Sequence, residues 1–159
     1  MRDIKNIIVH CSDSIYGDTT IIRKWHTEPP RNWRDIAYHF VILSGNIDTD
    51  TDMDFSFLNG SIETARPLND DGFLDDIEVG AHTLGYNENS IGICLIGINK
   101  FTPEQFLSLR SICKELMQKW NLTRRDILGH YETESGKKEG KTCPNFDMVM
   151  FRQSLMESV

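Results

Sequence analysis

Apolar residues gather in short bursts along this chain, and the spacing inside each burst names an element. Residues 4–12, IKNIIVHCS, hold a β-branched run that predicts a buried strand ending near His10. In the following DTTIIRKWHTEPP, Ile21, Ile22 and Trp25 share a helical face, Asp18 or Thr19 can cap it, and Pro29–Pro30 stops it. AYHFVILSG (37–45) and SIETARP (61–67) read as a second and a third strand. SIGICLIGI (90–98) is nearly all apolar, as a central strand covered on both faces would be.

The sharpest helix start is FTPEQF. Thr102 is the cap, Pro103 occupies the first turn, Gln105 completes a capping box, and Phe101 and Phe106 are placed as a hydrophobic staple. Phe106, Leu109, Cys113, Leu116 and Trp120 then recur at helical spacing, so one apolar stripe faces the sheet and Cys113 belongs to it. RRDILGH predicts a last short strand running into His130, and FDMVMFRQSL a closing helix capped by Asp147. Alternating strands and helices give an α/β class, a mixed central sheet with helices on its faces.

Residues 48–60, DTDTDMDFSFLNG, interrupt the pattern with four alternating aspartates. As a calcium loop they fail, because Met53 stands at the sixth position and Asn59 at the twelfth. A solvated, extended insertion is the better expectation.

Composition narrows the partners. The 159 residues suit one domain, 1–159, and 39% hydrophobic residues are enough for a core. A net charge of -7 with no Lys/Arg stripe argues against nucleic acid. No apolar run is long enough to span a membrane, and the IIV before His10 is too short for a signal peptide. Cys11, Cys94, Cys113 and Cys143 lack a disulfide-framework spacing. The expectation is a reduced monomer synthesised in the cytoplasm without a signal peptide.

Three residues have metal chemistry. His10 and His130 close strands, and Cys143 follows in the loop KTCP. Strand ends and loops are where α/β sheets present ligands. Two imidazoles and a thiolate suit zinc and leave one tetrahedral position open, the arrangement of catalytic sites. Spacing alone leaves packing or surface use open for all three, since His10 lies over a hundred residues from the others.

Longer segments sharpen this. IIVHCS, NWRDIAYHFVI, RPL, GAHTLGYNENSIGICLIG, FTPEQFLSLRSICKEL, ILGHYE and KTCPNFD follow one another in an order that resembles the zinc-dependent N-acetylmuramoyl-L-alanine amidases of the amidase-2 type. The likeness is to small phage endolysins, which share their fold with peptidoglycan recognition proteins, and it covers about residues 4–155. It implies that His10, His130 and Cys143 bind Zn2+ and that Tyr38 and Lys141 are the catalytic helpers. It further implies hydrolysis of the amide between N-acetylmuramic acid and L-alanine, in peptidoglycan outside the cell after release or export.

Other residues of these segments carry expectations of their own. His82 is expected to line the substrate cleft. Asn87 and Asn89 offer amides to peptide or sugar or else form a turn, and Trp33 is a sugar platform or a core anchor. His39 alternates away from Tyr38 and reads as packing or support, His26 as an exposed helix residue, and Cys11 as turned into the core. The chain departs from the family in the acidic insertion and in SGKKEG, expected as a charged loop over the site.

Two other functions compete. A cysteine-nucleophile peptidase would use Cys143 with His130 as base, but Pro144 offers no N–H for an oxyanion hole and His10 loses its role. A muropeptide recognition module would bind without cutting; the third ligand Cys143, with Tyr38 and Lys141, favours the enzyme.

Overall fold

The computed structural model describes residues 2–156. Its centre is a five-stranded sheet of β2 (Asn6–Cys11), β3 (Phe40–Ile42), β4 (Ile62–Thr64), β6 (Ser90–Leu95) and β7 (Ile127–Gly129), in the order β4-β3-β6-β2-β7. All neighbours pair in parallel except the edge strand β4, which is antiparallel to β3. A two-stranded ribbon, β1 (Arg2–Asp3) with β5 (Phe73–Leu74), lies outside it. Strand β6 is buried along its whole length, as its unbroken apolar run requires.

Alternation divides the side chains between two cores. Ile7, Val9, Ile91, Ile93 and Leu95 point to the face covered by α2 (Pro103–Trp120) and α4 (Met148–Ser154). Cys94, Ile96 and Val41 point to the other face, under α1 (Thr19–Thr27). Each helix starts where the sequence places its cap. Asp18 accepts from the Ile21 N–H at 2.8 Å, and Asp147 caps α4. Thr102 and Gln105 form the reciprocal capping box, and the Phe101 and Phe106 rings stand 6.1 Å apart. Gln105 is fully buried because its amide also donates to the Ile42 and Ile96 carbonyls, joining α2 to the ends of two strands.

Several expectations need correction. The second strand is shorter than its apolar run, since only residues 40–42 keep a regular ladder. Tyr38 and His39 precede it in backbone still paired through His39 N–H to Gly92 and Arg66 N–H to Tyr38. Arg124–Asp126 form a 3-10 turn capped by Thr123 rather than strand.

The charged segment expected as a loop contains a helix, α3 (Glu134–Glu139). Thr133 caps it, Gly140 ends it in the left-handed region, and Glu134 and Lys137–Lys138 sit at the ends that suit the helix dipole. Gly136 is required inside it, because a Cβ there would lie 1.9 Å from the His130 carbonyl oxygen.

The acidic insertion does not reach the ligand cleft described below. Phe55 and Leu58 pack against the second core, and Asn59 bonds to Thr102 and Glu104 at the start of α2.

Helix α4 is tied to β7 by a two-pronged ion pair. Arg152 Nη1 and Nη2 meet the Glu132 carboxylate at 2.6 and 2.7 Å, Arg152 also donates to the Ile127 carbonyl, and Glu132 accepts from the Gly129 N–H. Both side chains are under a fifth exposed. Arg152→Ala leaves the carboxylate half-enclosed without its partner and is expected to lower unfolding stability by about 2 kcal/mol, less than a fully buried pair would lose. A urea titration checks it; an unchanged midpoint would mean the pair is only decorative.

Candidate active site

The parallel strands deliver the site at their carboxyl ends. His10 is the fifth residue of β2, on the α1 face beside Cys94, and His130 is the first residue after β7. Cys143 arrives from the turn after α3, held by the Tyr131 N–H donating to its carbonyl at 3.0 Å and by Lys141 N–H to Gly136. One donor atom from each of the three lies within 4.8 Å of the others, and no fourth His, Cys, Asp or Glu joins the group among the described residues.

The donor set fits a metal ion. His10 turns Nε2 inward, 2.9 Å from His82 Nδ1, so its Nδ1 faces Cys143 Sγ at 3.9 Å. Burial, followed by the nearby His82 and His130, holds His10 well below the ordinary histidine pKa, and burial does the same more weakly for His130. Both imidazoles are therefore neutral, as ligands must be. Cys143 Sγ accepts from the Cys11 backbone N–H at 3.1 Å, a contact that supports a thiolate when a cation is present. Without a cation, the Cys11 thiol and burial push Cys143 upward, so it stays a thiol and makes a poor nucleophile on its own.

Around this group opens a cleft of about 790 Å³, large enough for a disaccharide or short peptide. Trp25, His26 and Trp33 form one wall, Leu84 and Asn87 another, and Lys141 and Thr142 the rim. Tyr38 lies in the floor with its ring 5.2 Å from His10; desolvation pushes its hydroxyl well above the ordinary tyrosine range, so it remains a proton donor. Lys141 is half exposed, pairs loosely with Glu139 at 3.7 Å, and is close enough to depress His130.

The remaining candidates separate by contact. Trp33 is 39% exposed, its ring tilted against that of His26 at a centroid distance of 4.8 Å and with Arg31 over it, which makes it part of the cleft lining. His82 is 7% exposed and stands behind His10. Asn87 spends its carbonyl on the His82 and Thr83 N–H groups at 2.8 Å, and Asn89 donates to the Asp3 carbonyl on the far side. Cys11 is buried, but its side chain joins neither hydrophobic core: it lies in the cleft lining beside Cys143, which corrects the expectation that it turns into the core.

His26 corrects the sequence reading. It is buried, because the helix face that carries Ile22 also presents His26 to the cleft wall, and its Nδ1 accepts from the Ala37 N–H at 3.0 Å. Thr83 and Ser90 were not singled out from sequence; both bond into the His10–His82 group.

Acid should weaken this architecture. His39 is fully buried, accepting from the Gly92 N–H and donating to the Glu78 carbonyl, and burial lowers its pKa from 6.5 to about 4. Between those values the unfolded chain binds the extra proton, so stability is lost as pH falls from 6.5 towards 4. His39 alone accounts for up to about 3 kcal/mol. Denaturant midpoints measured near neutrality and at about pH 5 should fall with acidity; a flat profile would contradict the neutral, buried ring.

Fold and site together define an α/β protein in which two histidines and a cysteine that could hold a metal ion face a cleft. The family model described as N-acetylmuramoyl-L-alanine amidase matches residues 1–146. The endolysin of Escherichia phage T7 is 33% identical over 153 residues, 89% of this chain and 81% of that protein. The structure of N-acetylmuramoyl-L-alanine amidase LysC from Clostridium intestinale superposes with a TM-score of 0.72 at 25% identity, covering 98% of this chain and 87% of that one. PGRP-SA of Apis mellifera shares the fold, with a TM-score of 0.69 at 22% identity over 100% of this chain and 87% of its own. The chain belongs to the N-acetylmuramoyl-L-alanine amidase family.

Proposed function

We propose that this protein is a zinc amidase of bacterial cell walls, hydrolysing the amide that joins the lactyl group of N-acetylmuramic acid to L-alanine. The observation that carries the reading is the convergence of His10, His130 and Cys143 donor atoms within 4.8 Å at the floor of an open cleft. Zinc suits two neutral imidazoles and a thiolate, and when bound it supplies Lewis acidity and an ionised water near neutral pH.

The chain's own groups do the rest. The cleft walls hold the sugar and stem peptide so that the scissile carbonyl lies over the floor. As water adds to the carbonyl carbon, negative charge develops on its oxygen, and the Lys141 ammonium and the Tyr38 hydroxyl are the donors available to it. The C–N bond then breaks, the nitrogen takes a proton, and the products are a lactyl carboxylate and a free alanine amine. No helix of the described residues is long and apolar enough to cross a membrane. The phage relative is named an endolysin, and a lytic role at the wall is the reading it supports for this chain.

Digestion of purified peptidoglycan followed by mass analysis tests the bond. Stem peptides with a free L-alanine amine, and glycan strands with free lactyl carboxylates, are expected. Cleavage inside the stem peptide, or binding without release, would refute it.

A further inference from the structure

Ala81, His82, Thr83, Leu84 and Asn87 of the segment GAHTLGYNENSIG line the cleft; of these, His82 and Thr83 hydrogen-bond to His10, and Ser90 stands behind His82. The Ser90 hydroxyl is 2.8 Å from the Tyr86 carbonyl, which can only accept, so its single proton goes there. Toward His82 Nε2, at 3.3 Å, Ser90 Oγ must then accept, which puts the His82 proton on Nε2. His82 Nδ1 is left with a lone pair, 2.9 Å from His10 Nε2 and 3.0 Å from the Thr83 hydroxyl. His10 therefore carries its proton on Nε2, shared between His82 Nδ1 and Thr83 Oγ1 at 3.3 Å, and presents a bare Nδ1 toward Cys143.

The surroundings hold this ring in place. A Cβ on Gly92 would lie 2.8 Å from the His82 ring carbons, so the glycine lets the imidazole lie against the strand. Asn87 fixes the backbone of His82 and Thr83 by accepting from both N–H groups.

We propose that His82 is a positioning residue: with Ser90 behind it, it sets the tautomer and ring orientation of His10, so that Nδ1 is the atom offered to the metal. This goes beyond the amidase assignment and rests on it only in taking His10 as a ligand. His82, 7% exposed in the cleft lining, then acts through His10.

Three variants and two readouts test it. Nitrogen NMR of the metal-free protein reports the His10 tautomer directly: Nε2–H is expected in the native chain, and a mixture in His82→Leu. Competition with a chromophoric chelator, starting from the zinc-loaded protein, should show zinc held about 10–100-fold more weakly by His82→Leu. His82→Asn, whose amide oxygen can replace the Nδ1 acceptor, should recover most of that loss. Ser90→Ala, which removes the acceptor behind His82 with little loss of packing, should give a smaller loss and keeps the test available if the leucine variant folds poorly.

A His10 proton on Nδ1 in the native chain would overturn the proposal, as would zinc affinity unchanged in His82→Leu. Equal losses in the leucine and asparagine variants would also sink it, since packing alone would then explain the effect. A native chain that shows the Nε2–H tautomer but binds no zinc would instead defeat the metal assignment and leave the relay standing.

Discussion

Cys143→Ala is expected to leave the protein folded, strip it of zinc during ordinary purification, and lower amidase turnover by about 10³-fold or more. Of the three proposed ligands only the Cys143 thiolate would be anionic, and two neutral imidazoles alone would neither balance a divalent charge nor enclose it. The alanine leaves the two histidines in place, because His10 is held by His82 and Thr83 and His130 follows directly from β7. The loss should therefore appear in metal content and turnover, with little change in circular dichroism. Elemental analysis and peptidoglycan release measured on the same preparation check it. Full zinc occupancy in the variant would mean that Cys143 is not a ligand.

Tyr38→Phe should separate chemistry from metal binding. The phenyl ring keeps the contacts with His10 and His26, whose rings lie 5.2 and 5.7 Å away, so the floor of the cleft stays packed. Only the hydroxyl is lost, a donor that desolvation keeps protonated. Removing one donor from a developing oxyanion lowers kcat by about 10²–10³-fold. KM and zinc content should remain near native values. A fall in zinc content would instead make the tyrosine a support for the metal group, and unchanged kcat would remove it from the reaction.

The sequence made some of this legible for identifiable reasons. Helix α2 could be read end to end because its cap, staple and stripe are all local, and local signals survive without tertiary context. The parallel strands β2 and β6 were visible as apolar runs, yet nothing in the runs says that they neighbour each other or in which order the sheet assembles.

Helix α3 is not legible in the sequence because it has no apolar period: its residues are mostly charged, and its place depends on Gly136 lying against the His130 carbonyl. The burial of His26 has a signal in the sequence, since it stands four residues after Ile22 on the same helix face; what the sequence does not show is the Ala37 N–H that satisfies its ring there.

The metal group shows the same division. Spacing leaves packing or surface use open for His10, His130 and Cys143; the family resemblance implies them as ligands, and the fold brings their donor atoms together. Thr83 and Ser90 gave no signal, since hydroxyl residues in a turn and at a strand start are ordinary, and their use depends on where one imidazole lies.

If the proposed amidase is zinc-dependent, cleavage of the muramoyl–alanine amide requires zinc held by His10, His130 and Cys143. The most direct measurement follows release from purified peptidoglycan by the protein as isolated, after removal of metal with a chelator, and after zinc is restored. Activity lost on chelation and regained with zinc is the predicted result. Activity that persists without metal but disappears when Cys143 is alkylated would contradict it and make the thiol the nucleophile.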